Sequence, residues 1–280
     1  PGVYFHLLGD PQKNDKLVYR RPDHPRWSFW LERTDDNRYL VLTIFRSTDP
    51  QTRVYVREVA APAAQWHPLV DDFENEFRIV GNDENRLFFM TDLDAPTKRV
   101  VAMDAFGSGR AEAEEVVPAG EGTLEEVSLL DGKLICEYID HVVSKVRIYG
   151  IDGQYHGDVE LPGIGTAAGF NGRQDDQETF FSFANYVTPS AIYRYDVHLG
   201  QSEQIRSSQI DFDPSQYVSE QFFYKSKDGT KVPIIVSHRR GIEKNGKNPT
   251  LLYGYGGFSI SLTPRFSVDY AAWMDMGGIV

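Results

Sequence analysis

The chain has 280 residues, 41% hydrophobic and 25% charged, which is a globular composition with enough apolar side chain for a core. Its net charge is −12 with the acid spread along the chain, which points to a soluble protein and excludes the clustered basic surface that nucleic-acid binding needs. Cys136 is the only cysteine, so neither an internal disulfide nor a cysteine metal site can form, and no apolar run reaches the ~18 residues of a membrane span.

The chain opens on Pro1 and passes directly into a strand-like run, Val3-Tyr4-Phe5-His6. That run reads as the last strand of an earlier repeat. Short β-type runs then recur at Arg53, Arg99, Lys145 and Ala191, 46 residues apart each time. A second series precedes them at Leu40, Leu87, Leu134 and Thr179, with spacings of 47, 47 and 45 residues. Two strand series with one shared period mark the blades of a β-propeller; a generic sandwich lacks such regular spacing. Turn signals lie between the strands: Asp35-Asp36-Asn37, Asn82 to Asn85, Asp131-Gly132 and Asp152-Gly153. About four blades are expected between Gly9 and Gly200, the low end of what closes a propeller.

The repeat stops after Gly200. Residues 207–216 have the polar, proline-containing character of a linker. Val218 to Tyr224 and Val232 to Ser237 read as a strand pair around Lys227-Asp228-Gly229. Gly241 to Asn248 is a polar loop. Pro249 to Tyr253 reads as a short buried strand opening into Gly254-Tyr255-Gly256-Gly257, and Tyr270 to Met276 as a helix before Gly277-Gly278. A strand, a glycine-rich turn and a helix form an α/β signal. The final Gly277 to Val280 looks like another strand beginning, and both termini read as cuts.

The glycine-rich turn lacks the GxGxxG or GxxxxGK[ST] spacing of a phosphate cradle. It is either a structural turn or the loop after the third strand of an α/β-hydrolase, which supplies an oxyanion-hole donor. The full string Leu251-Leu252-Tyr253-Gly254-Tyr255-Gly256-Gly257-Phe258, with Pro264, Phe266 and Gly277-Gly278, closely resembles the prolyl oligopeptidase family. Ser226 to Pro233 resembles the family's entry into its catalytic domain. Val3 to Gly9, Thr48-Asp49-Pro50 and Phe181 to Asp196 resemble its propeller.

The resemblance covers nearly the whole chain and implies a mixed architecture. A partial β-propeller would occupy residues 1–206, a linker 207–216, and the first strands of an α/β-hydrolase domain 217–280. The implied activity is serine-type hydrolysis of short peptides on the carboxyl side of proline, by a cytoplasmic (alternatively periplasmic) monomer that needs no cofactor and binds neither nucleic acid nor membrane. By position in the motif, Tyr255 corresponds to the oxyanion-hole tyrosine, and Phe258 would line the pocket for the proline ring. Arg46, at the end of a blade strand, could meet a peptide carbonyl.

One departure from the family pattern weighs on this reading. No G-x-S-x-G nucleophile elbow is present, because Ser261 stands where Gly257-Phe258-Ser259 would need its second glycine. The resemblance implies that the Ser, Asp and His of the triad lie downstream of Val280, so this chain alone is expected to be inactive. Its last ~60 residues are expected to aggregate or unfold through an unpaired sheet edge. The competing function is a non-catalytic propeller scaffold with a vestigial hydrolase stub.

Other features read as structural. The seven histidines show no HxH or HxxxH spacing. Gly163, Gly165 and Gly169 read as a blade connection. The acidic runs at 71–76 and at Asp175-Asp176 lack EF-hand spacing and read as solvated loops.

Overall fold

The computed structural model of the chain describes residues 1–258 and 260–280. Its internal contacts divide it into two compact units, Pro1–Gly120 and Glu121–Val280.

In the first unit, β1 (Gly2–Phe5) pairs antiparallel with β2 (Lys16–Arg20). Then come two four-stranded antiparallel meanders. The first is β3 (Trp27–Arg33), β4 (Tyr39–Arg46), β5 (Thr52–Glu58) and β6 (His67–Val70). The second is β7 (Phe77–Asp83), β8 (Arg86–Thr91), β9 (Arg99–Asp104) and β10 (Glu114–Val117). The facing sides of the two sheets share one core, in which Val41, Val54 and Val56 meet Phe77, Phe89 and Val101. The other side of the first sheet buries Trp27, Leu42, Ile44 and Tyr55 against Val3 and Tyr19 of the β1–β2 pair. Successive sheets packed face to face in chain order are the stacking of propeller blades.

The second unit repeats the pattern. One sheet is β11 (Thr123–Leu130), β12 (Lys133–Asp140), β13 (Val143–Gly150) and β14 (Tyr155–Asp158). The next is β15 (Thr166–Asn171), β16 (Glu178–Asn185), β17 (Thr188–Asp196) and β18 (Gln201–Ser207). Ile135, Val146 and Ile148 of the former pack on Phe170, Phe181 and Phe183 of the latter, with the Phe170 and Phe181 rings stacked at 4.5 Å. After this sheet, β19 (Tyr217–Lys225) and β20 (Lys231–Arg239) form a hairpin, and α1 (Val268–Asp275) follows. Tyr217, Val187 and Met274 bury a small core beneath that hairpin.

The two strand series of the 46-residue period are the second and third strands of each sheet, β4, β8, β12, β16 and β5, β9, β13, β17. The first sheet nevertheless starts at Trp27 and not near Gly9. β2 pairs back with β1, and its Tyr19 ring packs edge-on against Phe29, Tyr55 and Trp66 without joining their ladder. The run Pro249 to Tyr253 also differs from expectation, since only Thr250 bridges, parallel to Ile279. Leu252 and Tyr253 stay exposed, because a strand needs a ladder partner along its length and theirs is a single residue wide.

Two tight hairpins show contrasting turn chemistry. β11 and β12 turn through Asp131-Gly132, both at positive φ, the two-residue geometry those residue types favour. β12 and β13 turn through His141 (φ 50°) and Val142 (φ 67°), which a β-branched residue adopts only under strain. The strained tip is held from outside its own sheet. Gln221 Nε2 donates to the His141 carbonyl at 2.6 Å, and Phe223 meets the His141 ring edge-on at 4.9 Å.

Phe181 is almost fully buried and stacks on both Phe170 and Tyr193. Phe181→Ala should cost about 3–5 kcal/mol, the usual penalty for a buried aromatic cavity. Urea unfolding followed by far-UV circular dichroism reads this as a lowered midpoint with an unchanged slope.

Candidate functional site

The glycine-rich loop lies in the second unit, just after the Thr250 bridge. Ile279 sits between β20 and this segment. It bridges His238 antiparallel and Thr250 parallel, and its carbonyl accepts from the Leu251 N–H at 2.8 Å. The order is therefore β19, β20, Ile279, Thr250, with α1 on the connection from Thr250 to Ile279. An apolar cavity of about 690 Å³ opens beside this arrangement, lined by Val232 to Val236 on one side and Thr250 to Tyr255 on the other.

Tyr255 lines this cavity and is 49% exposed. Its ring folds back over Gly257: a Cβ built there would lie 2.9 Å from the phenol oxygen. Glycine at 257 thus leaves room for the tyrosine to lie along its own loop. The Tyr255 hydroxyl has no hydrogen-bond partner among the described residues, so its O–H remains a free donor. Phe258 has φ 55°, a left-handed conformation that is strained for an aromatic residue, and its ring is 92% exposed. Ser259, the start of the incomplete nucleophile motif, lies outside the described residues.

Arg46 belongs to the first unit, at the end of β4. Its guanidinium lies 4.4 Å from the centroid of Phe73 and 3.4 Å from the Asp49 carboxylate. The structure therefore brings Tyr255 together with Gly257, and Arg46 together with Phe73.

The acidic run 71–76 is a loop between β6 and β7 whose Asp71 and Glu74 side chains stay more than half exposed, and its carboxylates also carry ion pairs. Asp71 accepts from Arg53 Nη1 at 2.7 Å and from the Tyr55 phenol. Arg110 reaches both Asp72, at 3.0 Å, and Glu74, at 2.7 Å. Lys98 pairs with Glu76 at 2.9 Å. Each cation comes from a different element, so no local spacing in the sequence announces the network. At 175–176 the side chains close a local turn instead, with Asp176 accepting from the Arg173 N–H at 2.7 Å and Asp175 pairing with the Arg173 guanidinium at 3.1 Å. Gly163 and Gly165 lie in the connection between β14 and β15, as a blade connection requires, whereas Gly169 lies inside β15, where the ladder to β16 shifts register between Ala168 and Asn171.

Repeated four-stranded antiparallel meanders packed face to face define a protein of β-propeller blades. Residues 2–208 match the family model described as prolyl oligopeptidase, N-terminal β-propeller domain. The chain belongs to the prolyl oligopeptidase family and carries that family's propeller. A prolyl endopeptidase of Elizabethkingia meningoseptica is 38% identical over 277 residues, covering 99% of this chain and 39% of its own length. The prolyl endopeptidase of Dictyostelium discoideum is 30% identical over 286 residues, covering 95% of this chain and 38% of its own. A solved prolyl endopeptidase superimposes with a TM-score of 0.87 at 33% identity, over 99% of this chain and 41% of that one. Prolyl oligopeptidase B from Galerina marginata superimposes with a TM-score of 0.90 at 25% identity, over 99% and 40%. The chain spans about two fifths of the length of these relatives.

Burial, and then the hydrogen bond to the Asp71 carboxylate, push the Tyr55 phenol up to about 12. A raised folded value favours the neutral phenol in the native state. The stability it confers is complete below the ordinary tyrosine range near 10 and is lost as pH rises through about 12. Absorbance titration at 295 nm should show a late phenolate step that Tyr55→Phe removes, and Tyr55→Phe should flatten the loss of stability between pH 10 and 12.

Proposed function

We propose that this chain is the propeller and oxyanion-loop portion of a serine-type endopeptidase that hydrolyses short peptides on the carboxyl side of proline. The observation that carries this reading is the alignment of 99% of the chain with a prolyl endopeptidase, which runs past the propeller match ending at residue 208. The geometry after residue 208 supports it. A strand residue set between β20 and Thr250, parallel to Thr250 and reached through a helix, is how an α/β-hydrolase sheet begins. In this reading a partial propeller occupies residues 1–206, the linker 207–216 and the incomplete start of the hydrolase domain 217–280.

Chemistry assigns the roles. A serine attacks the carbonyl that follows proline, a histidine acts as base and then acid, and an aspartate orients the histidine. In this reading the triad lies outside these 280 residues, which alone are expected to be inactive. Tyr255 supplies the oxyanion donor through its free O–H, on a loop tightened by glycines. Phe258 offers an unpartnered ring face to the substrate's proline, selecting by shape without polar readout. Arg46 offers guanidinium N–H groups to a peptide carbonyl. The reaction needs no cofactor. The acidic surface suits a soluble cytoplasmic monomer without affinity for nucleic acid or membrane, and no helix among the described residues is long and apolar enough to cross a membrane.

The test is Tyr255→Phe in the full-length gene product, assayed on a blocked peptide with an internal proline. Removing an oxyanion donor should lower kcat about 10²–10³-fold and leave KM nearly unchanged. Wild-type kcat in the variant would remove Tyr255 from the mechanism. Absence of cleavage after proline by the unmodified gene product would remove the reading itself and leave the non-catalytic scaffold.

A further inference from the structure

In the first unit, Arg53 stands beside Asp71, Arg86 beside Glu114, Arg99 beside Glu115 and Arg110 beside Asp72. Arg57, in β5, has no such partner. It is only 8% exposed, yet no hydrogen bond or ion pair reaches its side chain among the described residues, and its Nε is buried unsatisfied. Burial pushes the guanidinium below the ordinary arginine value, and no carboxylate opposes that push. An arginine keeps its proton in a folded protein, so this position holds an uncompensated charge away from water, which is costly.

A second donor is stranded beside it. The Arg57 guanidinium lies 4.3 Å from the centroid of the Trp66 ring. Trp66 Nε1 is itself buried with no hydrogen-bond partner. The register explains the meeting. Val56 pairs with His67 across β5 and β6, so Arg57 and Trp66 are the next positions along that pair and share a face. The same row continues through Leu40 of β4 to Arg33 of β3. Arg33 likewise has no ion-pair partner among the described residues. The row carries two guanidiniums, an indole N–H and no acceptor side chain. A cation–π contact accounts for the stacking of Arg57 on Trp66 but leaves both N–H groups unsatisfied. Buried donors without partners are rare, and two side by side call for a shared acceptor.

We propose that Arg57 and Trp66 form an anion site in the first four-stranded sheet, where the guanidinium and the indole N–H together hold one small monovalent anion, chloride in ordinary salt. One negative charge balances the one buried positive charge, and a spherical ion accepts from N–H groups in any direction. The site is independent of the peptidase reading, because every residue in it belongs to the first unit.

The experiment uses the full-length gene product with bromide as the probe, since anomalous scattering locates that ion. Crystals soaked in sodium bromide should show an anomalous peak at hydrogen-bonding distance from both Arg57 Nε and Trp66 Nε1. In solution, the thermal midpoint should rise with the logarithm of bromide concentration, relative to sodium gluconate at equal ionic strength. Trp66→Phe keeps the ring face and removes only the N–H, so the bromide concentration at which stabilisation sets in should move about tenfold higher. Arg57→Met keeps an apolar stem and should abolish the bromide dependence. If Arg57→Met fails to fold, Trp66→Phe carries the test alone.

An equal bromide response in the wild type and Trp66→Phe overturns the site and leaves a cation–π contact. A crystal without the peak overturns it too. A peak with no difference between bromide and gluconate in solution marks an adventitious ion only, with the same consequence. A protein carboxylate found on the two N–H groups shows that the gene product supplies its own acceptor, and the anion site falls.

Discussion

Much of the structure depends on one constraint: in the second and third four-stranded sheets, a middle strand is buried on both faces. In β8 every residue from Leu87 to Thr91 is buried, and in β12 the same holds from Leu134 to Tyr138. A strand buried on both faces cannot alternate apolar with polar, whereas β16, with one face exposed, alternates buried Thr179, Phe181 and Phe183 with exposed Glu178, Phe180 and Ser182. The doubly buried strand becomes a continuous apolar run, and its neighbours take up the polar duties. β18 shows the complement, an outer strand exposed along its whole length. The repeated sheets, their face-to-face cores and the short turns between them follow from stacking such units.

Within that scaffold the candidate functional groups sit where regularity ends. Arg46 lies at the last residue of β4, and Tyr255 and Phe258 lie on a loop outside any ladder. Rigidity is supplied locally. Glycine at 257 lets a phenol lie along the loop, and the Arg46 guanidinium lies 4.4 Å from the centroid of Phe73. The scaffold fixes the positions, and small, separately anchored contacts fix the orientations.

Much of the fold was legible in the sequence because its middle strands are so apolar. Runs such as Leu87-Phe88-Phe89-Met90 mark the second strand of a sheet whatever surrounds them. The outer strands were not legible: Gln201 to Ser207 and Tyr155 to Asp158 carry polar sequences that resemble loops. The boundary of the first sheet was missed because β2 has strand character but pairs backward with β1. At the candidate site, the string around Tyr255 was legible through its glycines. The ion pairs of the 71–76 loop were not, since their cations, Arg53 and Arg110, stand 18 or more residues away from their carboxylate partners. A pattern of Asp and Glu alone reads as solvated, and tertiary pairing adds ion pairs to side chains that stay partly exposed.

The bridges made by Ile279 also carry a kinetic meaning. Each four-stranded meander is sewn from hairpins, so its ladders close over short loops and need nothing distant. Ile279 instead joins His238 and Thr250, with the glycine loop and α1 lying between the partners. Loop closure must come first and its reward later, which slows such pairings relative to hairpins. The meanders are therefore expected to mature as the chain emerges from the ribosome. The segment around the Tyr255 loop would be the last of these residues to settle, and the cavity beside it the surface a chaperone meets longest.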